Sequence, residues 1–356
     1  MRSTNSTDSR SNDHNIEIMF HNTKANRRAA TQLLTVFAIQ VLCTYRAPKE
    51  MRAEEHRNGA QSDFHATNRK VSMTSTQRFE NGFSGRVAVV TGGGTGMGRE
   101  LVRQLAAAGC DVAMCDVMTD NLADTEKLCA ADGGTGAILS FVADVSHENQ
   151  IIAFRDAVLA WRPEVHLLFN NAGISGGGSF VHDQREEWDK TFAVCWNGVY
   201  FTTRAFMPSL LAAPIGHIIN TSSVNGMWAA LGPTMPHTAY SAAKFAVKGF
   251  TEALITDFRV NAPHLRASLV MPGWIGTSIV INSMALHGAD NNGLAGIGEI
   301  FRDNAPVTAA TAAAQILEAV QRDEWRILIG EDATRIDEAI RTNPNNTFEF
   351  NPYAPS

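Results

Sequence analysis

No run of about 18 unbroken apolar residues occurs in this chain of 356, so no segment reads as a helix that crosses a membrane. The nearest stretch, Leu33 to Cys43, is interrupted by Thr35 and Gln40. Arg27 and Arg28 precede it, but its lead is long and no A-x-A-like site follows, so it is not read as a targeting segment. Clustered basic residues are missing too: Lys and Arg number 30 against 36 Asp and Glu, for a net charge of -6. That balance excludes a nucleic-acid surface, which needs grouped Lys and Arg. Cysteine is scarce. Cys43, Cys110, Cys115, Cys129 and Cys195 make an odd set of five with no CxxC pair. We expect reduced thiols in a reducing compartment, the cytoplasm, with neither a disulfide framework nor a zinc site. Cys110 and Cys115 are five apart along one strand and point to opposite faces.

What is present is an ordinary globular mixture, 44% apolar and 19% charged. Residues 1–80 stand apart, rich in Ser, Thr, Asn and Arg and without a strand-turn-helix pattern. They are expected to be a poorly ordered extension, and a chain begun at Met73 would reach its first strand after a short polar lead. From residue 81 to 343 the pattern changes. Apolar runs at Val87–Val90, Val112–Cys115, Ala137–Val142, Val165–Phe169, His217–Asn220, Ala267–Met271 and Arg326–Ile329 are short and nearly continuous, as strands buried on both faces are. Helical stretches lie between them, including Arg99–Ala108 (ended by Gly109), Glu148–Trp161, Glu186–Leu211 and Ala239–Phe258. The expected fold is α/β: one doubly wound, Rossmann-type parallel sheet of about seven strands with helices on both faces, in a single domain. Residues 344–356, with Pro344, Pro352 and Pro355, should form an irregular tail.

The first strand runs into Thr91-Gly92-Gly93-Gly94-Thr95-Gly96-Met97-Gly98, and a helix follows. Glycines let the backbone turn tightly and approach a pyrophosphate, whose charge suits the free N–H groups of a helix start. Asp116 ends the second strand, where a carboxylate can accept hydrogen bonds from an adenosine ribose and would repel a 2′-phosphate. Val117 and Met118 offer no compensating cation, and the turn holds no basic residue before Arg99. The expected cofactor is therefore NAD rather than NADP.

Taken together, the motifs resemble the short-chain dehydrogenase/reductase family over roughly residues 84–335. The glycine turn matches its TGxxxGxG element, and Asn170-Asn171-Ala172-Gly173 matches its NNAG element, which lines the cofactor cleft. The resemblance implies that Asp144 and Val145 hold the adenine ring, and that Pro272, Gly273 and Thr277 grip the nicotinamide carboxamide. Tyr240-Ser241-Ala242-Ala243-Lys244 matches YxxxK, which implies Tyr240 as catalytic acid/base with Lys244 as its activator. The chemistry fits those residue types. A phenol with a pKa of about 10 must fall toward working pH, and one cation at about 4 Å supplies roughly the 4 kcal/mol that three units require. Positions i and i+4 share a helix face, so Lys244 can be that cation.

Ser223 is the implied group that binds and orients the substrate oxygen, chosen over Ser222 because the family's catalytic serine is the second of the pair. The gap from Ser223 to Tyr240 is longer than usual, so the segment must bulge, and Ser222 stays in play. The family's fourth catalytic member is an asparagine three residues before a glycine on the central helix. Here the glycine is Gly198 and Cys195 holds the position, which should weaken a water-mediated proton relay behind the lysine.

His166 and His217 read as structural histidines, while His237 and His287 lie near the expected cleft. Trp228, Trp274 and Met284 suit either an apolar substrate pocket or the core, and Ser278–Asp303 resembles a mobile substrate lid. The expected activity is hydride transfer between NAD and a secondary alcohol or its ketone, in a homodimer or homotetramer built on the two long helices. The rival reading is a catalytically weak NAD-binding sensor or scaffold.

Overall fold

The computed structural model describes residues 82–229, 236–286 and 299–345. Expectations for residues 1–80, His287, the Asn/Gly-rich stretch 290–298 and the tail past 345 lie outside the described residues, as does the side chain of Met284.

A seven-stranded, wholly parallel sheet forms the centre. Its strands are β1 (Val87–Thr91), β2 (Asp111–Asp116), β3 (Ile138–Val142), β4 (Leu167–Asn170), β5 (Gly216–Thr221), β6 (Leu265–Pro272) and β9 (Arg326–Ile329), in the order β3-β2-β1-β4-β5-β6-β9. A small separate pair joins β7 (Ile275–Gly276) to β8 (Val307–Thr308). The helices are α1 (Gly96–Ala107), α2 (Thr119–Ala131), α3 (Glu148–Trp161), α4 (Arg185–Phe192), α5 (Gly198–Ala212), α6 (Thr238–Asn261), α7 (Ile279–Leu286), α8 (Ala309–Gln321) and α9 (Glu331–Thr342).

Alternation along each strand sends neighbouring side chains to opposite faces. Ala88 and Val90 pack with Leu101, Leu105 and Ile316 on the α1–α8 face. Val89 packs with Phe154, Phe206 and Leu254 on the α3–α5–α6 face. Cys110 and Cys115 separate in the same way, one to each face. The four described cysteines are free and buried, and burial pushes the Cys110 thiol up to about 12. Among the described residues no helix is long and apolar enough to cross a membrane.

The chain leaves β1 outward to β2 and β3, then crosses back to β4 on the other side of β1. The crevice at the carboxyl ends of β1 and β4 is the switch point where α/β sheets of this kind take ligands. A buried polar chain fixes what borders it. Asn170 Nδ2 donates to Thr203 Oγ1 at 2.9 Å and to Asn220 Oδ1 at 2.8 Å, and Asn220 Nδ2 donates to Thr251 Oγ1 at 2.9 Å. These bonds tie α5 and α6 to the sheet at a defined height.

The expected continuous helix Glu186–Leu211 is broken. A π-helical turn, Ala193–Asn197, separates α4 from α5. Its register turns Cys195 inward, where Sγ meets Ile174 O at 3.2 Å, and brings Gly198 against Val145. A Cβ at Gly198 would lie 2.7 Å from Val145 Cγ2, so a larger residue could not make this approach. Periodicity alone does not reveal such a turn, because it adds a single residue within one helical run.

Candidate active site

β1 delivers the glycine turn and α1 begins within it. Gly92 and Gly96 take φ values of +66° and +54°, which side chains rarely adopt. A Cβ at Gly98 would sit 1.9 Å from Gly92 O, and one at Gly94 would sit 2.8 Å from Asp116 Oδ2. The turn is thus held at glycine dimensions, a cradle for a phosphate group at a helix start. Met97 packs on the core beneath it. Thr95, at the N-cap of α1, accepts from Asn282 Nδ2 of α7 at 3.0 Å.

Asp116 closes the turn from the β2 side. Its carboxylate accepts from Gly94 N at 3.0 Å and from Met118 N at 3.1 Å. Burial pushes its pKa up, against these hydrogen bonds that pull it down. Arg99 is the nearby cation, and its guanidinium is directed at protein groups: Nε donates to Gly94 O at 2.8 Å and Thr125 Oγ1 at 3.1 Å. Asp144 and Val145 follow β3. Asp144 Oδ1 accepts from Ser146 N and Oγ, at 2.9 and 2.7 Å, and Val145 is buried against Gly198.

Across the crevice, Thr91 Oγ1 stitches β1 to the end of β4, accepting from Asn171 N at 3.0 Å and Ala172 N at 3.1 Å. Asn171 Nδ2 donates to Thr91 O at 3.2 Å. Gly173 then passes close to two further groups: a Cβ there would stand 3.5 Å from Lys244 Nζ and 3.8 Å from Cys195 Sγ. Lys244 is only 2% exposed, and Nζ donates to Thr221 O at 2.9 Å. Burial lowers its pKa. The ammonium lies 5.4 Å from the centroid of the Tyr240 ring, one helical turn away on α6.

The two serines have different surroundings. Ser222 is 1% exposed, and its hydroxyl donates to Lys244 O at 2.8 Å. Ser223 Oγ accepts from Asn225 N at 3.1 Å at the start of a short 3-10 turn, Val224–Gly226, so its own proton can serve another acceptor. The expected bulge before Tyr240 runs through residues 230–235, outside the described residues.

At the end of β6 and just beyond it, Pro272, Gly273, Trp274 and Thr277 form the far wall. Gly273 N donates to Ile329 O at 2.9 Å, and Thr277 approaches the glycine turn, 3.2 Å from where a Gly96 Cβ would be. The anchor of this wall is Asp332, which the motifs did not flag. It is 5% exposed at the start of α9 and accepts from Trp274 N at 2.6 Å. A Cβ on Gly273 would fall 2.2 Å from its carboxylate oxygens. Trp274 in turn donates from Nε1 to Phe301 O at 2.8 Å. No local signal marks Asp332, since its partner is 58 positions away.

His237 and Ser175, also on this side, pair at 3.3 Å (Nε2 to Oγ) beside Tyr240. Trp228 belongs to the core, 2% exposed against Val224, Ala333 and Ile336. His166 and His217 are structural: Val87 N donates to His166 Nδ1 at 3.2 Å, and His217 Nε2 meets Ser268 Oγ at 2.7 Å.

The short chain dehydrogenase family model matches residues 86–285. The oxidoreductase SadH of Mycobacterium tuberculosis is 36% identical over 260 residues, covering 73% of this chain and 91% of its own. A Burkholderia phymatum short chain dehydrogenase/reductase, solved in complex with NAD, superposes with a TM-score of 0.66 at 28% identity, over 77% of this chain and 98% of its own. A metagenomic short-chain oxidoreductase solved in complex with NADP gives 0.54 at 29% identity, over 69% and 97%. The nicotinamide cofactor fits the glycine cradle, and the chain belongs to the short-chain dehydrogenase/reductase family of oxidoreductases.

Proposed function

We propose that the chain transfers a hydride between NAD(H) and a secondary alcohol or its ketone. Tyr240 is the acid/base, Lys244 its activator, and Ser223 the group that orients the substrate oxygen. The observation that carries the reading is the buried Lys244 ammonium 5.4 Å from the Tyr240 ring, held there by Thr221 O. A cation beside a phenol favours its phenolate form, which is the form that accepts a proton. The nicotinamide, when bound, supplies the hydride acceptor or donor. In the oxidative direction Tyr240 takes the hydroxyl proton, while Ser223 donates to the substrate oxygen with the proton that Asn225 N leaves free.

Residues on both walls have proposed cofactor roles. Thr91, Gly92, Thr95, Gly96, Met97 and Gly98 shape the phosphate cradle. Asp144 and Val145 border the adenine, and Asn171, Ala172 and Gly173 line the cleft. Pro272, Gly273 and Thr277 hold the nicotinamide end, with Trp274 on the substrate side. NAD is preferred over NADP. Asp116 supports this: its carboxylate abuts the turn where a 2′-phosphate would lie, and Arg99 is engaged with Gly94 O and Thr125. Both cofactors occur among the relatives, one solved with NAD and another with NADP.

We also propose a homodimer or homotetramer through α5 and α6, which expose Tyr200, Leu211, Phe245 and Val260. The free, buried thiols suit a reducing compartment such as the cytoplasm.

The test is direct. With NAD and a panel of secondary alcohols, formation of reduced nicotinamide should be followed by absorbance, and turnover should vanish in Tyr240→Phe. Tight NAD binding without turnover on any alcohol or ketone would favour the second reading, a catalytically weak NAD-binding sensor or scaffold. That reading has one observation behind it, Cys195 at the position of the family's asparagine.

A further inference from the structure

α1 begins without the side-chain cap that its first residue could give. Thr95 holds the N-cap position in extended backbone, φ -146° and ψ 171°, and its hydroxyl accepts from no N–H of the helix. Thr308 shows the ordinary arrangement at the start of α8, where its Oγ1 accepts from Thr311 N at 3.1 Å. The N–H groups of Gly96 and Met97, in the first turn of α1, meet no acceptor among the described residues.

The Thr95 hydroxyl is engaged from elsewhere. Asn282 of α7 donates to it from Nδ2 at 3.0 Å, across 187 positions of chain. An amide nitrogen is only a donor, so this bond occupies a lone pair of Oγ1 and leaves the hydroxyl proton for another acceptor. None of the described residues takes that proton, and both residues are half-buried rather than sealed in the core. Asn282 is itself held in place. Ser283, the next residue, accepts from Ser175 N at 2.8 Å and donates to Ile279 O at 2.6 Å. Thr277, just before α7, lies 3.2 Å from where a Gly96 Cβ would be. Residues 277–283 thus meet the glycine turn at two points and the strap after β4 at a third.

Three donors therefore gather at one turn: the N–H groups of Gly96 and Met97 and the hydroxyl of Thr95. That set suits an anion with several oxygens. We infer that Asn282 is a cofactor-positioning residue, which turns the Thr95 hydroxyl so that its proton goes to the pyrophosphate and by the same bond ties α7 to the loaded turn. This rests on the reading of Thr95 as part of the phosphate cradle. The opposite amide orientation would set Oδ1 against Thr95 and draw the proton to α7, which is the state that Asn282→Asp enforces.

Calorimetry with NAD, ADP-ribose and adenosine tests this in wild type, Asn282→Ala, Asn282→Asp, Thr95→Ala and the double alanine variant. Asn282→Ala should weaken NAD and ADP-ribose alike by about fivefold to tenfold, the loss expected when a hydrogen bond to a charged group is no longer aimed. Asn282→Asp, equal in shape but only an acceptor, should weaken both further than alanine does. Thr95→Ala should cost about tenfold or more, and adding Asn282→Ala to it should cost little else, because the asparagine acts through that hydroxyl. Adenosine, which carries no phosphate, should bind all five proteins alike. Loss on NAD with ADP-ribose unchanged would place the effect at the nicotinamide end and overturn the inference. Additive losses in the double variant, or an aspartate no worse than alanine, would overturn it too. Should Thr95→Ala not fold, the ordering of Asn282→Ala and Asn282→Asp decides it. A Thr95→Ala variant that binds ADP-ribose as wild type does would instead remove Thr95 from the phosphate cradle, and this inference with it.

Discussion

Along the glycine turn the sequence is constrained by backbone space, whereas beyond β6 it is constrained by side chains that meet across long stretches of chain. At the turn, Gly98 faces Gly92 O and Gly94 faces Asp116, with no room for a methyl group at either place. On the opposite wall, Asp332 holds Trp274, Ser283 holds Ser175, and Asn282 reaches Thr95 from 187 positions away. A turn fitted by backbone space tolerates one form, whereas a wall held by side chains can be rebuilt residue by residue.

Substitution of Tyr240, the proposed acid/base, should have the largest effect. In Tyr240→Phe kcat should fall by about 10² to 10⁴-fold, as loss of a general acid/base does, with NAD affinity by calorimetry unchanged. The contrast itself is tested by pairing Gly98→Ala with Asp332→Ala. The first should weaken NAD binding by tenfold or more, because about 1.4 kcal/mol of strain in the turn is enough for that. The second removes the acceptor of Trp274 N, and kcat/KM should fall several-fold, with Asp332→Asn restoring most of it through the amide oxygen. If both alanine variants weakened NAD to the same degree and the asparagine rescued nothing, the two walls would not differ in kind.

A smaller change is expected from Asp116→Ser, in which the ratio of NADP to NAD efficiency should rise by about tenfold, read from kcat/KM with each cofactor. The wild-type pH dependence sharpens this. Partial burial raises the Asp116 pKa, so the carboxylate is lost at a higher pH than usual as the solution is acidified. The KM for NAD should therefore begin to rise above the ordinary carboxylate range of about 3.9, and in Asp116→Ser that rise should be absent. The smallest effect belongs to Ser222→Ala. Its hydroxyl is spent on Lys244 O, so stability should drop by about 1 kcal/mol in a denaturant melt while turnover changes little. A collapse of turnover there, with Ser223→Ala nearly silent, would exchange the roles of the two serines.

The parts legible in the sequence are those set by local constraint. The strands at Val87–Val90 and Arg326–Ile329 announce themselves as apolar runs, and the glycine turn by its spacing between strand and helix. The π turn at Cys195 is silent because it adds one residue within a run that is helical on both sides, and the close approach of Gly198 to Val145 follows directly after it. Trp228 could not be assigned, since what buries it is Ala333 and Ile336 of α9, more than a hundred positions later in the chain. Asp332 is hidden for the same reason: an acidic residue in the first turn of a helix is commonplace, and its partner is a backbone N–H that any residue type would carry.

Asp332 has a practical consequence for anyone shortening the gene. The family model matches only as far as residue 285, and a truncation placed at that limit would cut into the fold. The product would lack the outer strand Arg326–Ile329, the helix packed against Leu101 and Leu105, and the carboxylate that fastens Trp274. Expression boundaries should therefore run past Thr342, where α9 ends.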